Sequence, residues 1–173
     1  MLTAEQEKWI GHLSNTDTIK IVPFDPTAES RFQEIKQLIQ EKTDRSLTIL
    51  HLGASGLGIS GQDEIDVYIP IKPAQFNTLI PKLKNLFGEP RSSYPLERSR
   101  FATAMNGKHI DIFLINQDSA GWQEGQRFHA YLLSHPLVLE TYRQLKENSD
   151  GVSVQEYYRR KIEFINAILE KTK

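Results

Sequence analysis

Residues 47–69 read LTILHLGASGLGISGQDEIDVYI, and the architecture of the chain follows from that stretch. Thr48 to Leu52 is a β-like run that empties at Leu52-Gly53 into a loop carrying Gly53, Gly56, Gly58 and Gly61 among small hydroxylated residues. Four glycines in nine residues let the backbone come close to something outside the chain. The N–H groups of such a turn make a cradle for phosphate oxygens, with Ser55 or Ser60 adding a hydroxyl donor. The chain resumes as Glu64-Ile65-Asp66-Val67. Residues two apart in a strand face the same way, so Glu64 and Asp66 share one exposed face while Ile65 and Val67 enter a core.

The run His109-Ile110-Asp111-Ile112 repeats this grammar, with His109 and Asp111 on one side. If the two strands are neighbours, about 4.8 Å apart, Asp111 stands beside Asp66. Three carboxylates so close repel one another and hold on to protons unless cations neutralise them. Mg²⁺ bridging to phosphates is the usual resolution, with Mn²⁺ the alternative ion. Two such ions, roughly 3.5–4 Å apart, activate an attacking hydroxyl, hold a triphosphate and steady the departing pyrophosphate. Each residue also has a plainer reading. Glu64 and Asp66 can be the solvated face of an edge strand, and Asp111 can pair with Arg98 or Arg100. Those two arginines either grip a phosphate or substrate carboxylate or form a salt bridge to the acids. His109 either assists a metal or base or is structural, and His51 reads better as a hydrogen bond that pins the turn.

Outward from this centre the period of the apolar residues assigns the elements. A modest helix spans Met1 to Leu13, IKIVPF (Ile19–Phe24) is a short extended run, and a helix is predicted from about Thr27 to Lys42. The strands are Thr48 to Leu52, Ile65 to Ile71, His109 to Ile115 and a weaker Phe101 to Met105, with a helical stripe from Pro73 to Phe87. Asn106-Gly107 predicts an antiparallel hairpin between the last two strands. Beyond Asn116 the pattern is helical, about Trp122 to Ser134, Pro136 to Glu147 and Val154 to Glu170. The fold class is α+β: one domain with a mixed sheet covered by helices over about residues 1–116, and a C-terminal helical lobe over about 117–173.

Composition narrows the function. The 173 residues are 39 % apolar and 25 % charged, a globular balance, and the formal charge of -1 gives no footprint for coating a nucleic-acid backbone. Tyr157-Tyr158-Arg159-Arg160-Lys161, at helical spacing, reads as an ordinary solvated helix face. The absence of cysteine removes disulfides, thiolate metal sites and thiol nucleophiles. No stretch approaches the roughly 18 apolar residues of a membrane span, and the first residues lack the form of a signal peptide, so a cytoplasmic location is expected.

Leu52-Gly53-Ala54, then Glu64-Ile65-Asp66, then Asp111 resemble the signature of the nucleotidyltransferase superfamily: a hydrophobic-Gly-[Gly/Ser] turn, an acid-x-acid strand and a third acid on a later strand. More narrowly, the chain is similar to the GrpB-like family. The similarity runs from IVPFDP (Ile21–Pro26) through HLGAS (His51–Ser55), EIDVYI (Glu64–Ile69), ERSRF (Glu97–Phe101), HIDIFLI (His109–Ile115) and FHAYLLSHP (Phe128–Pro136) to YYRRKIEFINAIL (Tyr157–Leu169). Relatives typically read H-x-G-S-T before the loop and Lys-Pro ahead of the strand acid, where this chain has Gly53-Ala54-Ser55 and Gln62-Asp63.

The resulting expectation is a Mg²⁺-dependent nucleotidyltransferase that moves a nucleoside monophosphate from an NTP to an unidentified acceptor bound between sheet and lobe. Glu64, Asp66 and Asp111 are the metal ligands, and Asp66 and Asp111 the catalytic pair, with Asp111 orienting and deprotonating the acceptor. Gly53, Ala54, Ser55, Arg98, Arg100 and His109 contact substrate. The alternative is a catalytically inactive nucleotide- or metabolite-binding module of the same fold; a metal hydrolase is disfavoured by the lack of a His cluster.

Overall fold

Every second residue of Glu64–Ile71 is buried, and Ile65, Val67, Ile69 and Ile71 are at most 1 % exposed. That alternation is the condition for a strand with one face on a core. The computed structural model describes residues 1–172, in two units. One unit comprises Phe24–Gly58 and Asp63–Gln123 and holds the whole sheet. Its strands are β1 (Leu50–Leu52), β2 (Glu64–Ile71), β3 (Ser92–Tyr94), β4 (Arg98–Met105) and β5 (Lys108–Asn116), in the order β1-β2-β5-β4-β3. β2 and β5 run parallel and the other neighbours antiparallel. The sheet is therefore mixed, as the sequence implies.

Two helices of this unit, α2 (Ala28–Lys42) and α4 (Phe76–Phe87), supply Phe32, Ile35, Ile39, Phe76, Leu79 and Leu83 to one core with Ile110, Ile112, Leu114 and Phe101 of the sheet. Burying each such side chain is worth about 1.5–3 kcal/mol, so this face sets the strand register. The Asn106-Gly107 hairpin forms as expected: both residues have positive φ, 52° and 78°, and Met105 pairs with Lys108.

Three features depart from the expected pattern. β1 is shorter than the apolar run around it, since Leu47 and Ile49 are buried without joining the ladder. The chain after Leu52 winds into a single helical turn, α3 (Gly53–Gly56), where an open loop is expected, with the Leu57 N–H donating to the Gly53 and Ala54 carbonyls. β3 has no strand signal in Ser92-Ser93-Tyr94 and exists because it pairs with Arg98 to Arg100 at the sheet edge.

The other unit comprises Met1–Pro23, Ile59–Gln62 and the chain from Glu124 on. It contains α1 (Ala4–Gly11), most of α5 (Ala120–Ser134), α6 (Pro136–Glu147) and α7 (Val154–Lys171). α1, assigned to the sheet side by its place in the chain, packs instead on α7: Trp9 meets the Tyr158 ring edge-on at 5.3 Å and the Arg159 guanidinium donates twice to Glu7 at 2.9 Å. Residues 18–22 stay extended, with the Ile19 N–H bonded to Val152 and Val22 bridged to Gly61. Phe128, Tyr142 and Phe164 pack ring against ring, as core-forming stripes should. Arg159 and Arg160 are both engaged by acids, Glu7 and Glu156. Among the described residues no helix is long and apolar enough to cross a membrane.

In the sheet unit Lys108, mostly buried, is clamped by Asp25 at 3.0 Å and by a short ion pair with Asp63. Asp25 also accepts the hydroxyl and N–H of Thr27, at 2.7 and 2.8 Å. The Thr27 bonds and then Lys108 hold the Asp25 carboxyl well below its ordinary 3.8. A depressed acid contributes stability that is full above the unfolded value and lost as pH falls through the folded one. Asp25→Asn is therefore less stable at neutrality, and its stability falls less steeply than the parent's on acidification, as urea midpoints across the acid range will show. Ile112→Ala, at a wholly buried position of β5, costs about 2–5 kcal/mol in the same assay.

Candidate functional site

The parallel pairing of β2 and β5 lays residues opposite one another in rungs: Glu64 with His109, Asp66 with Asp111, Tyr68 with Phe113. All six project from the sheet face opposite the α2/α4 core, because the residues between them fill that core. On β4 the same rungs continue as Ala104, Ala102 and Arg100. Two alanines stand beside the charged rungs, and Arg100 reaches diagonally to Asp111, its Nε donating to Oδ1 at 3.1 Å. His109 Nε2 lies 3.2 Å from the same oxygen. Asp111 is the buried member, 5 % exposed, and its negative charge is met by these two partners. The expected placement of Asp111 beside Asp66 is thus observed in the register.

One ligand atom each from Glu64, His109 and Asp111 lies within 4.8 Å of the other two. The acids Glu64 and Asp111 belong to the expected ligand set, and the third member is His109, expected to contact substrate, to assist a metal or base, or to be structural. Asp66, on the same face, has its carboxylate against the turn: a Cβ built on Gly53 would lie 1.9 Å from its Oδ2. For a divalent ion, the two carboxylates are suitable hard oxygen donors. The imidazole is a donor that Mg²⁺ uses poorly and that Mn²⁺ or Zn²⁺ accepts.

Gly53 sits at φ 69°, in the left-handed region, and reverses the chain at the end of β1. Gly56 is as constrained by space, since a Cβ there would lie 2.5 Å from the His51 carbonyl oxygen. His51 holds the turn from beneath. Its Nε2 is 3.0 Å from the Ser55 hydroxyl, its Nδ1 is 2.8 Å from Glu29 of α2, and its ring stacks on Phe32 at 4.7 Å. The pinning role expected of His51 is what the structure shows. Bonds to Gln33 and then to His51 lower the Glu29 carboxyl below its ordinary value. Ser55 has its hydroxyl engaged by His51, whereas Ser60 donates to Glu147 at 2.6 Å. Arg98 does not join Arg100 at Asp111: its guanidinium lies over the Tyr94 ring at 5.2 Å. The sequence did not single out Glu29, Asp25, Asp63 or Lys108, whose partners are far along the chain and leave no local pattern.

A family model described as GrpB protein matches residues 18–171. The chain belongs to the GrpB family. Among solved structures, the crystal structure of conserved protein GrpB from Enterococcus faecalis superposes with a TM-score of 0.69 at 16 % identity, covering 88 % of this chain and 98 % of that one. At that identity the likeness establishes the fold. No curated protein matches the chain. As a GrpB fold, the chain presents its acid rungs beside the Gly53 turn, and substitution there is structural before it is chemical. Gly53→Ala loses more than about 1–2 kcal/mol for the left-handed backbone alone and displaces Asp66 besides, measured by urea denaturation.

Proposed function

We propose that the chain is a divalent-cation-dependent nucleotidyltransferase, moving a nucleoside monophosphate from an NTP to an acceptor hydroxyl, amine or phosphate. The observation that carries this reading is the pairing of Asp66 with Asp111, one rung from Glu64, at the strand ends where the Gly53 turn lies. In the transfer, the acceptor atom bonds to the α-phosphorus, the bond from α-phosphorus to the bridging oxygen breaks, and pyrophosphate leaves. Bound Mg²⁺ or Mn²⁺ would neutralise the triphosphate and stabilise the charge on the leaving group. Glu64, Asp66 and Asp111 are the acids that would hold the cation with its NTP. Asp111, buried and already hydrogen-bonded, orients the acceptor and takes its proton. The backbone N–H groups of Gly53 and Ala54, with the Ser55 hydroxyl once released by His51, face the phosphates. Arg100 offers a guanidinium to a phosphate, and Arg98 is a second cation on the same strand face. A cytoplasmic location belongs to this reading, since it uses a soluble NTP.

A second reading follows from Arg100. Its guanidinium already neutralises Asp111, as a cation would, which suits a nucleotide- or metabolite-binding module without turnover.

Calorimetric titration with each NTP, with and without Mg²⁺ or Mn²⁺, distinguishes these readings. The transferase reading expects cation-dependent binding, weakened about tenfold or more in Asp66→Asn, and pyrophosphate release once an acceptor is supplied. Affinity without release under any acceptor supports the binding module. Cation-independent affinity removes the transferase reading, and no binding of any NTP, with or without cation, removes both.

A further inference from the structure

We infer that, before any nucleotide binds, this face takes one divalent cation on Glu64, His109 and Asp111, and that the imidazole makes it select Mn²⁺ or Zn²⁺ over Mg²⁺. The inference deepens the cation-dependent reading above and rests on it for the location of the site, but it concerns the ion alone.

Its basis is which side chains converge. Glu64 and His109 form one rung of the β2–β5 ladder, Asp66 and Asp111 the next. Alternation alone gives all four an equal claim to an ion. The Gly53 turn breaks the tie, because the Asp66 carboxylate lies in the space that only a glycine leaves open. The donor atoms that do approach one another belong to Glu64, His109 and Asp111. The imidazole is already aimed: its Nε2 is 3.2 Å from Asp111 Oδ1, and the side chain is 48 % exposed, so an ion can reach it without unfolding anything. Asp111 is the opposite, a carboxylate with 8 % of its side chain exposed, whose Oδ1 is approached by both Arg100 and His109. Arg100 and His109 thus converge on one buried oxygen, the place on this face where positive charge is already accepted. On the adjoining strand the neighbours of Asp111 and His109 are the small residues Ala102 and Ala104.

The donor chemistry then chooses the ion. Mg²⁺ requires near-ideal octahedral oxygen coordination and keeps its waters, whereas imidazole with carboxylates suits Mn²⁺ and Zn²⁺. Binding at His109 requires a neutral ring whose Nε2 lone pair faces the ion.

The test uses the full chain without nucleotide and without an affinity tag. Isothermal titration with Mn²⁺, Zn²⁺ and Mg²⁺ is expected to show Mn²⁺ or Zn²⁺ bound about a hundredfold more tightly than Mg²⁺, a gap of about 2.7 kcal/mol. Pulsed electron paramagnetic resonance of the Mn²⁺ form should show coupling to an imidazole nitrogen. His109→Ala should remove that coupling and weaken Mn²⁺ and Zn²⁺ about ten- to a hundredfold. His109→Asp should convert the site to three carboxylates and narrow the preference over Mg²⁺, while Asp111→Asn should weaken every ion. Thermal midpoints in chelator-treated buffer establish that each variant is folded. The inference is overturned if Mg²⁺ binds as well as Mn²⁺ and Zn²⁺, if folded His109→Ala retains parent affinity and nitrogen coupling, or if no ion binds. Failure of NTP binding with this ion selectivity intact overturns the transferase reading alone; equal affinity for Mg²⁺, Mn²⁺ and Zn²⁺ alongside cation-dependent NTP binding overturns this inference alone.

Discussion

The parallel register of β2 against β5 is the constraint on which the face depends. A slip of one residue would turn Ile65, Val67, Ile110 and Ile112 towards the polar side and every acid into the core, because side chains alternate with a period of two. Those apolar residues are wholly buried, so the packing of α2 and α4 on one side of the sheet fixes the relation of Asp66 to Asp111 on the other. The core and the candidate site are two faces of one ladder.

The acid face carries an electrostatic burden that the surrounding residues manage individually. Asp111 cannot stand buried and ionised without compensation, and Arg100 and His109 both supply it at the same oxygen. Asp66 lies against Gly53, and one donor atom each of Glu64, His109 and Asp111 gathers within 4.8 Å of the others. The turn that makes this possible is itself held by the chain Glu29, His51, Ser55, which ties α2, β1 and α3 together through one imidazole. A hydroxyl that a local reading assigns to phosphate is, in the folded chain, first a support for the turn.

What was legible in the sequence was what is local. The alternation in EIDVYI and HIDIF named the strands and their inward faces, Asn106-Gly107 named the hairpin, and helical stripes named α2, α4, α6 and α7 nearly to their ends. β3 was illegible because Ser92-Ser93-Tyr94 is extended only through its partner strand, and α3 because four small residues carry no periodicity. α1 has a readable stripe, yet nothing in it says that Trp9 will find Tyr158 across the whole length of the chain. The site divided along the same line. Period two placed Glu64, Asp66, His109 and Asp111 on one face, but which three converge depends on the space above Gly53, a property of the β1–β2 approach and of no single segment.

The same topology explains why the charged rungs lie at one end of the sheet. β2 and β5 are parallel, so Glu64 and His109 are both near strand beginnings. β1 is antiparallel to β2, so its own end, Leu52, comes level with Asp66 and delivers the Gly53 turn to that place. Farther along, the next rung changes character: Tyr68 stacks on Phe113 at 4.6 Å, and Trp122 lies against Tyr68 at 5.8 Å. Two residues of strand separate the rungs, about 6.6 Å. A charged rung and an aromatic one at that spacing form a polarity gradient along a single sheet face.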